Sequence, residues 1–504
     1  MSRAPAAGAT IVSMRDYALL HVNGVRREIR GREALMMLAE WLRKEAGLSG
    51  TKIVCAEGDC GACTVLRAFP RPGAAFAAGV AFEYEAMNSC IATVAQMDGA
   101  HIVTVEGMQC GSELSPAQNA MRACHASQCG YCTPGFVMAL SGMLEKHAQA
   151  DERTAMNYLT GNLCRCTGYA PIIQAALTVR ATEQHSVALR YSDMFAVAES
   201  IATTEQSMRV QHDGVELFAP ATLREAVTFA ALHPGFRVIG AATDLGVQVN
   251  KGKPMPTALL SLHLVPELYE TKVTRGGATF GARVTLAEVR RVSEDVAPEF
   301  ARFLNLFASP QIKNVATLVG NIANASPIGD TLPFLLIAGG TVHVAGRPGG
   351  KGPIRKRTIA MTDLYVGYKQ LALEVGEIIT HVSFQRTPSR EVLRLAKVSQ
   401  RKDLDISAVS GAFAVTLSAG RRGTSAPCVA SARIAYGGVA ATPVRMPDAE
   451  HALCGELTPE RIESVAQLIA GSIAPISDVR GSSAYRRVTA ANIFRSFGNE
   501  VLRG

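Results

Sequence analysis

The sequence lacks the features that would place it in a membrane, outside the cell or on nucleic acid. Nowhere in its 504 residues does an uninterrupted apolar run approach the length that a bilayer-spanning helix needs, about 18 residues. The N-terminal MSRAPAAGATIVSMRD has one early Arg but no continuous apolar stretch, so a secretory leader is not expected and the cytoplasm is the default compartment. Basic residues outnumber acidic ones, 51 to 43, for a net charge of +8. They are scattered, however, as Arg26-Arg27, Arg355-Lys356-Arg357 and Arg421-Arg422, with no long block and no interleaved aromatics. A nucleic-acid partner is therefore not expected, and a partner subunit with an acidic face explains the surplus equally well. No G-x-G-x-x-G fingerprint is present, which argues against a Rossmann dinucleotide site, and no repeat of solenoid period appears.

What is present is a concentration of cysteine. Ten of the twelve thiols lie before residue 170, and only Cys428 and Cys454 follow. A secreted disulfide framework would normally follow a leader, so clustered thiols point to metal or redox chemistry instead.

Residues 17–25 (YALLHVNGV) alternate and end in Asn23-Gly24, a hairpin signal, and 33–46 has helical spacing closed by Gly47. With the strand-like TVLRAF and AFEYEAM, this describes a small α+β domain over 14–100. Residues 101–180 form an all-α domain, with helices expected over 116–126, 134–148 and 152–160 and from Pro171. Residues 181–212 are polar and without clear period, and read as a surface linker. Beyond them Gly-rich, strand-like runs (RVIGAATDLGVQV, GGATFGARVTL, GNIANASPIGD, GTVHVAG) alternate with helices such as 222–232 and 457–471. This is a two-lobed α+β region, divided into 213–388 and 389–504.

Cys55, Cys60 and Cys63 are separated by four and then two residues, and Cys90 follows after 26 more. That is the plant-type spacing for a [2Fe–2S] cluster. Three thiolates must converge on two irons from one short loop, and Gly58 and Gly61 permit the positive-φ turns this requires. A zinc knuckle is the alternative, but it usually repeats short C-x₂₋₄-C pairs at both ends. The second set pairs Cys129 and Cys132 with Cys164 and Cys166. Gly161 and Gly168 bracket the tight C-x-C, and Pro134 and Pro171 suit helix starts, whose N-termini favour a negatively charged cluster. On spacing alone zinc remains an alternative here. Cys110, Cys124, Cys428 and Cys454 have no spacing partner and read as ordinary buried thiols.

CAEGDCGACTV with NSC (88–90), SQCGYCTPG (127–135) and GNLCRCTGY (161–169) resemble the iron–sulfur region of the molybdenum hydroxylases. That family includes xanthine dehydrogenase, aldehyde oxidase and carbon monoxide dehydrogenase. The resemblance spans nearly all of 17–180. It implies a β-grasp ferredoxin domain, a four-helix domain and a [2Fe–2S] cluster in each. It also implies that Gln128 touches the pterin of a molybdenum cofactor held by another polypeptide. From the residues alone, Gln128 is an amide beside a ligand that would bond its own loop.

Residues 213–385 are similar to the family's FAD domain, whose fold is not Rossmann. Val238, Ile239, Gly240, Ala241, Ala242, Thr243, Asp244 and Leu245 correspond to its first phosphate loop, and NVATLVGNIANASPIGD (314–330) to its second. Small residues in such loops let backbone N–H groups nest around a pyrophosphate. Carried over by position, Thr317, Gly320, Asn321, Ser326, Asp330 and Ile379 join them as FAD contacts. Phe307 corresponds to an aromatic near the ring system, with a buried core Phe as the alternative. Lys397 corresponds to a flavin-side lysine, with a solvated surface charge as the alternative. Two positions depart from the family pattern: Ala241 stands where a glycine usually precedes the Thr, and Val319-Gly320 replaces paired glycines. A Cβ at either place would crowd a phosphate. Residues 390–500 resemble the family's flavoprotein C-terminal domain.

Iron–sulfur and FAD domains on one chain resemble the small subunit of the bacterial xanthine dehydrogenases. In the carbon monoxide dehydrogenases these domains normally occupy separate chains. The resemblance implies a large molybdenum-binding subunit, a dimer of heterodimers, and oxidation of hypoxanthine and xanthine by the partner. Electrons would pass through the 129–166 and 55–90 clusters to FAD and then NAD⁺. Arg165, between two ligands, would raise its cluster's potential. No catalytic acid or base is expected on this chain. A hydroxylase of aldehydes, N-heterocycles or CO, and a self-contained iron–sulfur flavoprotein carrier, remain alternatives.

Overall fold

The computed structural model describes residues 14–73, 82–109, 111–192, 194–418 and 427–504. The first domain is a five-stranded sheet in the order Val25–Arg30, Tyr17–Val22, His101–Val103, Thr64–Ala68, Glu85–Asn88. Tyr17–Val22 pairs antiparallel with Val25–Arg30 and parallel with His101–Val103. Asn23 and Gly24 turn the first hairpin at φ 49° and 80°, the left-handed pair that a two-residue turn demands. The helix expected over 33–46 is interrupted. Gly31–Leu35 and Leu38–Lys44 are separated by extended Met36 and Met37. There Val94 N–H donates to Met36 O and Leu38 N–H to Ala92 O, ladder bonds that a continuous helix could not spare.

The second domain packs Pro116–Ala123, Thr133–Leu144, Glu152–Leu159 and Ala170–Thr178. Ser115 and Gln118 form a capping box, and Asp151 caps the third helix through Thr154 N–H. Thr133–Leu144 is buried along most of its length, from Gly135 to Met143. One face meets the first domain's sheet, where a Cβ on Gly142 would lie 3.1 Å from Leu66 Cδ2.

Residues 181–212 are not a bare linker. Val187–Arg190 and Met194–Thr204 are helices, and Met208–His212 is a strand paired with Val215–Ala219. This strap is held by buried Arg15, which donates to Asp98 Oδ2 (2.8 Å), Thr203 O (2.9 Å) and Gln206 O (3.1 Å). Main-chain acceptors and one buried cation thus satisfy each other, a long-range pairing with no local sequence period.

The flavin region has two sheets. One runs Met208–His212, Val215–Ala219, Ala258–Ser261, Arg237–Ile239, and the other Thr271–Val273, Gly277–Gly281, Ile378–Gln385, Thr341–Gly346, Arg355–Ala360. Two runs read as strand-like are partly helical: Leu245–Asn250 follows the short strand Arg237–Ile239, and Leu318–Ala323 occupies the start of the second loop. Thr317 causes the latter, its Oγ1 accepting from Gly320 N–H at 2.9 Å. The C-terminal domain curls Glu391–Val398, Val409–Ser418, Cys428–Gly437 and Val444–Arg445 over helices Pro447–Leu453, Pro459–Ser472 and Ser483–Arg503. Among the described residues no helix is long and apolar enough to cross a membrane.

Candidate cluster and flavin sites

The Cys55–Cys63 loop curls through three left-handed residues, Ala56 (φ 54°), Gly58 (76°) and Gly61 (66°). Glu57 and Cys60 N–H both point at Cys55 Sγ, 3.4 Å away. Cys63 and Cys90 are buried and Cys55 and Cys60 half-buried. The thiols contact one another as Cys55–Cys60, Cys55–Cys90 and Cys63–Cys90. Hydrogen bonds from the Cys60 and Cys90 thiols pull Cys55 down, while the Cys55 thiol pushes Cys60 and Cys90 up. Sulfurs so close share protons, which binding of a metal would release.

In the second domain Cys166 Sγ lies 3.6 Å from Cys129 Sγ, and Cys132 contacts Cys164. Burial and the Cys164 thiol push Cys132 up to about 12. Thr167 N–H donates to Cys164 Sγ at 3.5 Å. The helices Thr133–Leu144 and Ala170–Thr178 begin at Cys132 and Tyr169, so two N-termini face this loop. Among the described residues no three His, Cys, Asp or Glu side chains close on one ion position. The second loop's sulfurs lie in two pairs and the first loop's in a chain of four, and either arrangement suits two irons with two thiolates each.

The pairs differ in exposure. Cys129 and Cys166 are exposed, as are Gln128, Arg165, Tyr131 and Leu163, while Cys63 and Cys90 lie inside. Cys124, Cys428 and Cys454 are half-buried rather than buried. Cys428 opens a long strand, paired with Ser418 on one side and Glu456 on the other, and Cys454 Sγ donates to Glu450 O. Cys110 lies outside the described residues.

The two loops touch through backbone. Leu163 N–H donates to Cys60 O at 2.9 Å, and Gly61 is pressed by Gly135 and Gly161. A Cβ on Gly135 would lie 2.2 Å from Gly61 O, so only glycine fits. The first loop also touches the flavin domain. Asn250 Nδ2 donates to both Cys90 O and Ala56 O at 2.8 Å, and a Cβ on Gly246 would meet Ile91 O at 2.1 Å.

Of the first phosphate-loop residues, Ile239 and Ala242 are buried and pack with Val315 and the first domain's core. Val238 and Asp244 are exposed, and Gly240, Ala241, Thr243 and Leu245 are intermediate. Gly240 O accepts from Gln96 Nε2 (3.2 Å) and Arg283 Nη1 (2.6 Å), and Ala242 turns left-handed at φ 58°. The departures from pattern are accommodated differently. Val319 is 6% exposed and turned into the domain core, whereas Gly320 stands open, with only Thr317 Oγ1 near its Cβ position. Ala241 packs against the first domain's core. Thus Val319 is directed away from the loop's open face, and neither side chain stands free in that space.

Asn321 Oδ1 accepts from Thr331 Oγ1 at 2.6 Å, and Ser326 is half-buried beside left-handed Ala325. Ile379 is buried on a central strand opposite Val344 and packs in the core. Phe307 is half-buried at the edge of that core. Lys397 is not a solvated charge: its side chain is 3% exposed and its Nζ donates to Asp330 Oδ2 at 2.6 Å. Ser407 Oγ accepts from Lys397 at 2.8 Å and donates to Asp330 Oδ1 at 2.6 Å. Burial raises the Asp330 carboxyl, and Lys397 and Ser407 oppose that rise. Ser407, Gln96, Arg283 and Asn250 had no signal in motif spacing, because each reaches its partner only across a domain boundary or a loop. Open backbone at Gly320 and the hydroxyls of Thr243 and Ser326 are the groups here that could receive a flavin's phosphates, with Lys397 and Asp330 bracing the second loop from behind.

Four family models match in succession: a 2Fe-2S iron-sulfur cluster binding domain (20–95), a [2Fe-2S] binding domain (104–177), an FAD binding domain in molybdopterin dehydrogenase (211–385) and a CO dehydrogenase flavoprotein C-terminal domain (394–501). Xanthine dehydrogenase from Drosophila subobscura is 30% identical over 94% of this chain, and xanthine dehydrogenase 1 from Arabidopsis thaliana 30% over 84%. The chain spans 38% and 35% of those relatives' lengths. Among solved structures, quinoline 2-oxidoreductase from Pseudomonas putida 86 aligns at TM-score 0.51 and 25% identity, covering 57% of this chain and 96% of that one. Carbon monoxide dehydrogenase from Hydrogenophaga pseudoflava shares the fold at TM-score 0.51 and 22% identity, covering 56% and 95%. With two [2Fe–2S] domains, an FAD domain and a flavoprotein C-terminal domain in this order, the chain belongs to the molybdenum hydroxylase family as an iron–sulfur and FAD polypeptide.

Proposed function

We propose that this chain is the electron-relay subunit of a xanthine dehydrogenase, taking electrons from a large molybdenum-binding partner that oxidises hypoxanthine and xanthine, and delivering them through FAD to NAD⁺. When bound, the clusters carry single electrons and the flavin collects two for transfer as hydride. The eight cysteines would hold the clusters. The loops around Thr243, Gly320, Asn321 and Asp330, with Phe307 and Lys397, would hold the flavin.

One observation carries the direction. The exposed Cys129–Cys166 pair is joined by Leu163 N–H to Cys60 O, and the inner loop in turn by Asn250 to Cys90 O. Electrons entering at the surface thus have a bonded route inward to the flavin loop. Gln128 and the exposed Tyr131 and Leu163 form the face on which a partner's cofactor would dock, in a dimer of heterodimers. All cysteines among the described residues are free thiols, as suits a reducing cytoplasm.

The test is to co-express the chain with a neighbouring molybdopterin-binding chain, measure molybdenum, iron and FAD, and assay xanthine-dependent NAD⁺ reduction. Activity without a molybdenum chain would overturn the proposal. The match to quinoline 2-oxidoreductase supports a second reading, an N-heterocycle hydroxylase, which the same complex would report as turnover of quinoline but not xanthine.

A further inference from the structure

Where the three cofactor domains meet, the cluster loops are held by side chains that are neither ligands nor flavin contacts. Pro310–Lys313, a single turn of the flavin domain, brings Gln311 into the junction with no exposed surface. Its Nε2 donates to Asn162 Oδ1 at 2.7 Å. Asn162, 2% exposed, donates its own Nδ2 to Gly61 O at 3.0 Å. Gly61 lies between the ligands Cys60 and Cys63, and Asn162 is two residues before the ligand Cys164. The neighbouring residue, Ile312, reaches the same loop, its Cδ1 3.2 Å from where a Cβ on Gly58 would stand.

This junction is tight and its polarity is unbalanced. A Cβ on Gly161 would lie 2.0 Å from Gln311 Oε1, and one on Gly61 2.1 Å from Gly161 O. Gln311 Oε1 is buried with no hydrogen-bond partner. Buried amides normally satisfy both ends. Here one end goes unsatisfied while the other secures Asn162, which marks the donated bond as the reason the amide is there.

We propose that Gln311 and Asn162 are positioning residues for electron transfer between the two clusters. The chain Gln311–Asn162–Gly61 clamps Leu163 N–H onto Cys60 O and so fixes the route from Cys164 to Cys60. This rests on the relay reading above. The step moves one electron from the 129–166 cluster to the 55–90 cluster, and no bond is made or broken. Because the clamp is supplied by the flavin domain, the cluster domains reach transfer register only when that domain is seated. Without the Gln311 donor, Asn162 Oδ1 is left buried and unpaired and the loops must shift.

The experiment uses the full chain carrying both clusters and FAD, as wild type, Gln311→Leu and Gly161→Ala. The second variant keeps both amides and displaces Gln311 by its new Cβ. One-electron reduction with a small reductant, followed by rapid-freeze electron paramagnetic resonance, reads transfer between clusters. The fully reduced sample reads the spin–spin coupling between them. Both variants should transfer about tenfold more slowly, equivalent to about 1.4 kcal/mol on the barrier, with weakened coupling. Iron content, FAD content and both midpoint potentials should stay at wild-type values. Wild-type transfer and coupling in loaded variants would overturn the proposal. So would loss of iron in both variants, which assigns the junction to folding alone. A wild-type chain that binds no clusters would instead overturn the relay reading.

Discussion

The buried Lys397–Asp330–Ser407 group joins the flavin domain's second loop to the C-terminal sheet, and its removal in pieces has a calculable asymmetry. Asp330→Ala leaves the Lys397 ammonium, 3% exposed, with the Ser407 hydroxyl as its remaining partner among the described residues. Breaking a buried pair from one side costs about 3–5 kcal/mol. Lys397→Met should cost less, because Asp330 can become neutral. Burial already raises that carboxyl, and loss of the ammonium raises it further. In Lys397→Met the folded state then holds a proton that the unfolded chain loses above its ordinary carboxyl pKa, about 3.9. Stability of that variant should therefore fall as pH rises through the window between the two pKa values. The double variant Asp330→Ala/Lys397→Met, apolar on both sides, should regain much of the loss, giving a coupling energy of about 2–3 kcal/mol. Urea unfolding of the full chain, read by hydrogen exchange in strands Glu391–Val398 and Val409–Ser418, measures the cycle without assuming one global transition. FAD retention provides the parallel functional readout and should follow the same order. An Asp330→Ala cost within about 1 kcal/mol, the range of an exposed pair, or strictly additive variants, would refute the reasoning.

Other predictions concern other sites. Lys313 is buried with Leu304 O as its hydrogen-bond acceptor, and burial pushes it down to about 8. The unfolded chain holds a proton there up to about pH 10.5, so stability should rise between about pH 8 and 10.5, by roughly 3 kcal/mol, and Lys313→Met should flatten that rise in pH-dependent melts. Cys63→Ala and Cys129→Ala should each lower bound iron from about four to about two atoms per chain, with one of two paramagnetic signals lost, the inner in the first and the surface cluster in the second. Gly246→Ala places a Cβ 2.1 Å from Ile91 O, and should cost about 1–3 kcal/mol and slow flavin reduction while both clusters stay loaded. Arg165→Ala should lower the midpoint of the 129–166 cluster alone; an unchanged redox titration would remove Arg165 from any tuning role.

The candidate ligands were legible in the sequence because spacing carries them: each set has a short run of thiols and a later partner, and glycines at 58 and 61 take the left-handed backbone that the first loop needs. The Asn23-Gly24 turn, the helix starts at Pro134 and Pro171 and the order of domains are local for the same reason. Tertiary structure alone decided what lies at long range. The helix over 33–46 breaks because residues 92–94 take its hydrogen bonds, and 181–212 becomes a strap because Arg15, paired with Asp98, donates to its carbonyls. Lys397 is buried rather than solvated because Asp330, 67 residues away, neutralises it. The sequence alone determined which thiols are spaced as candidate iron ligands. Only the folded chain decided which cysteine loop faces outward, which lies against the FAD domain and through which backbone bonds the loops touch, because hydrogen bonds between domains leave no periodic trace in sequence.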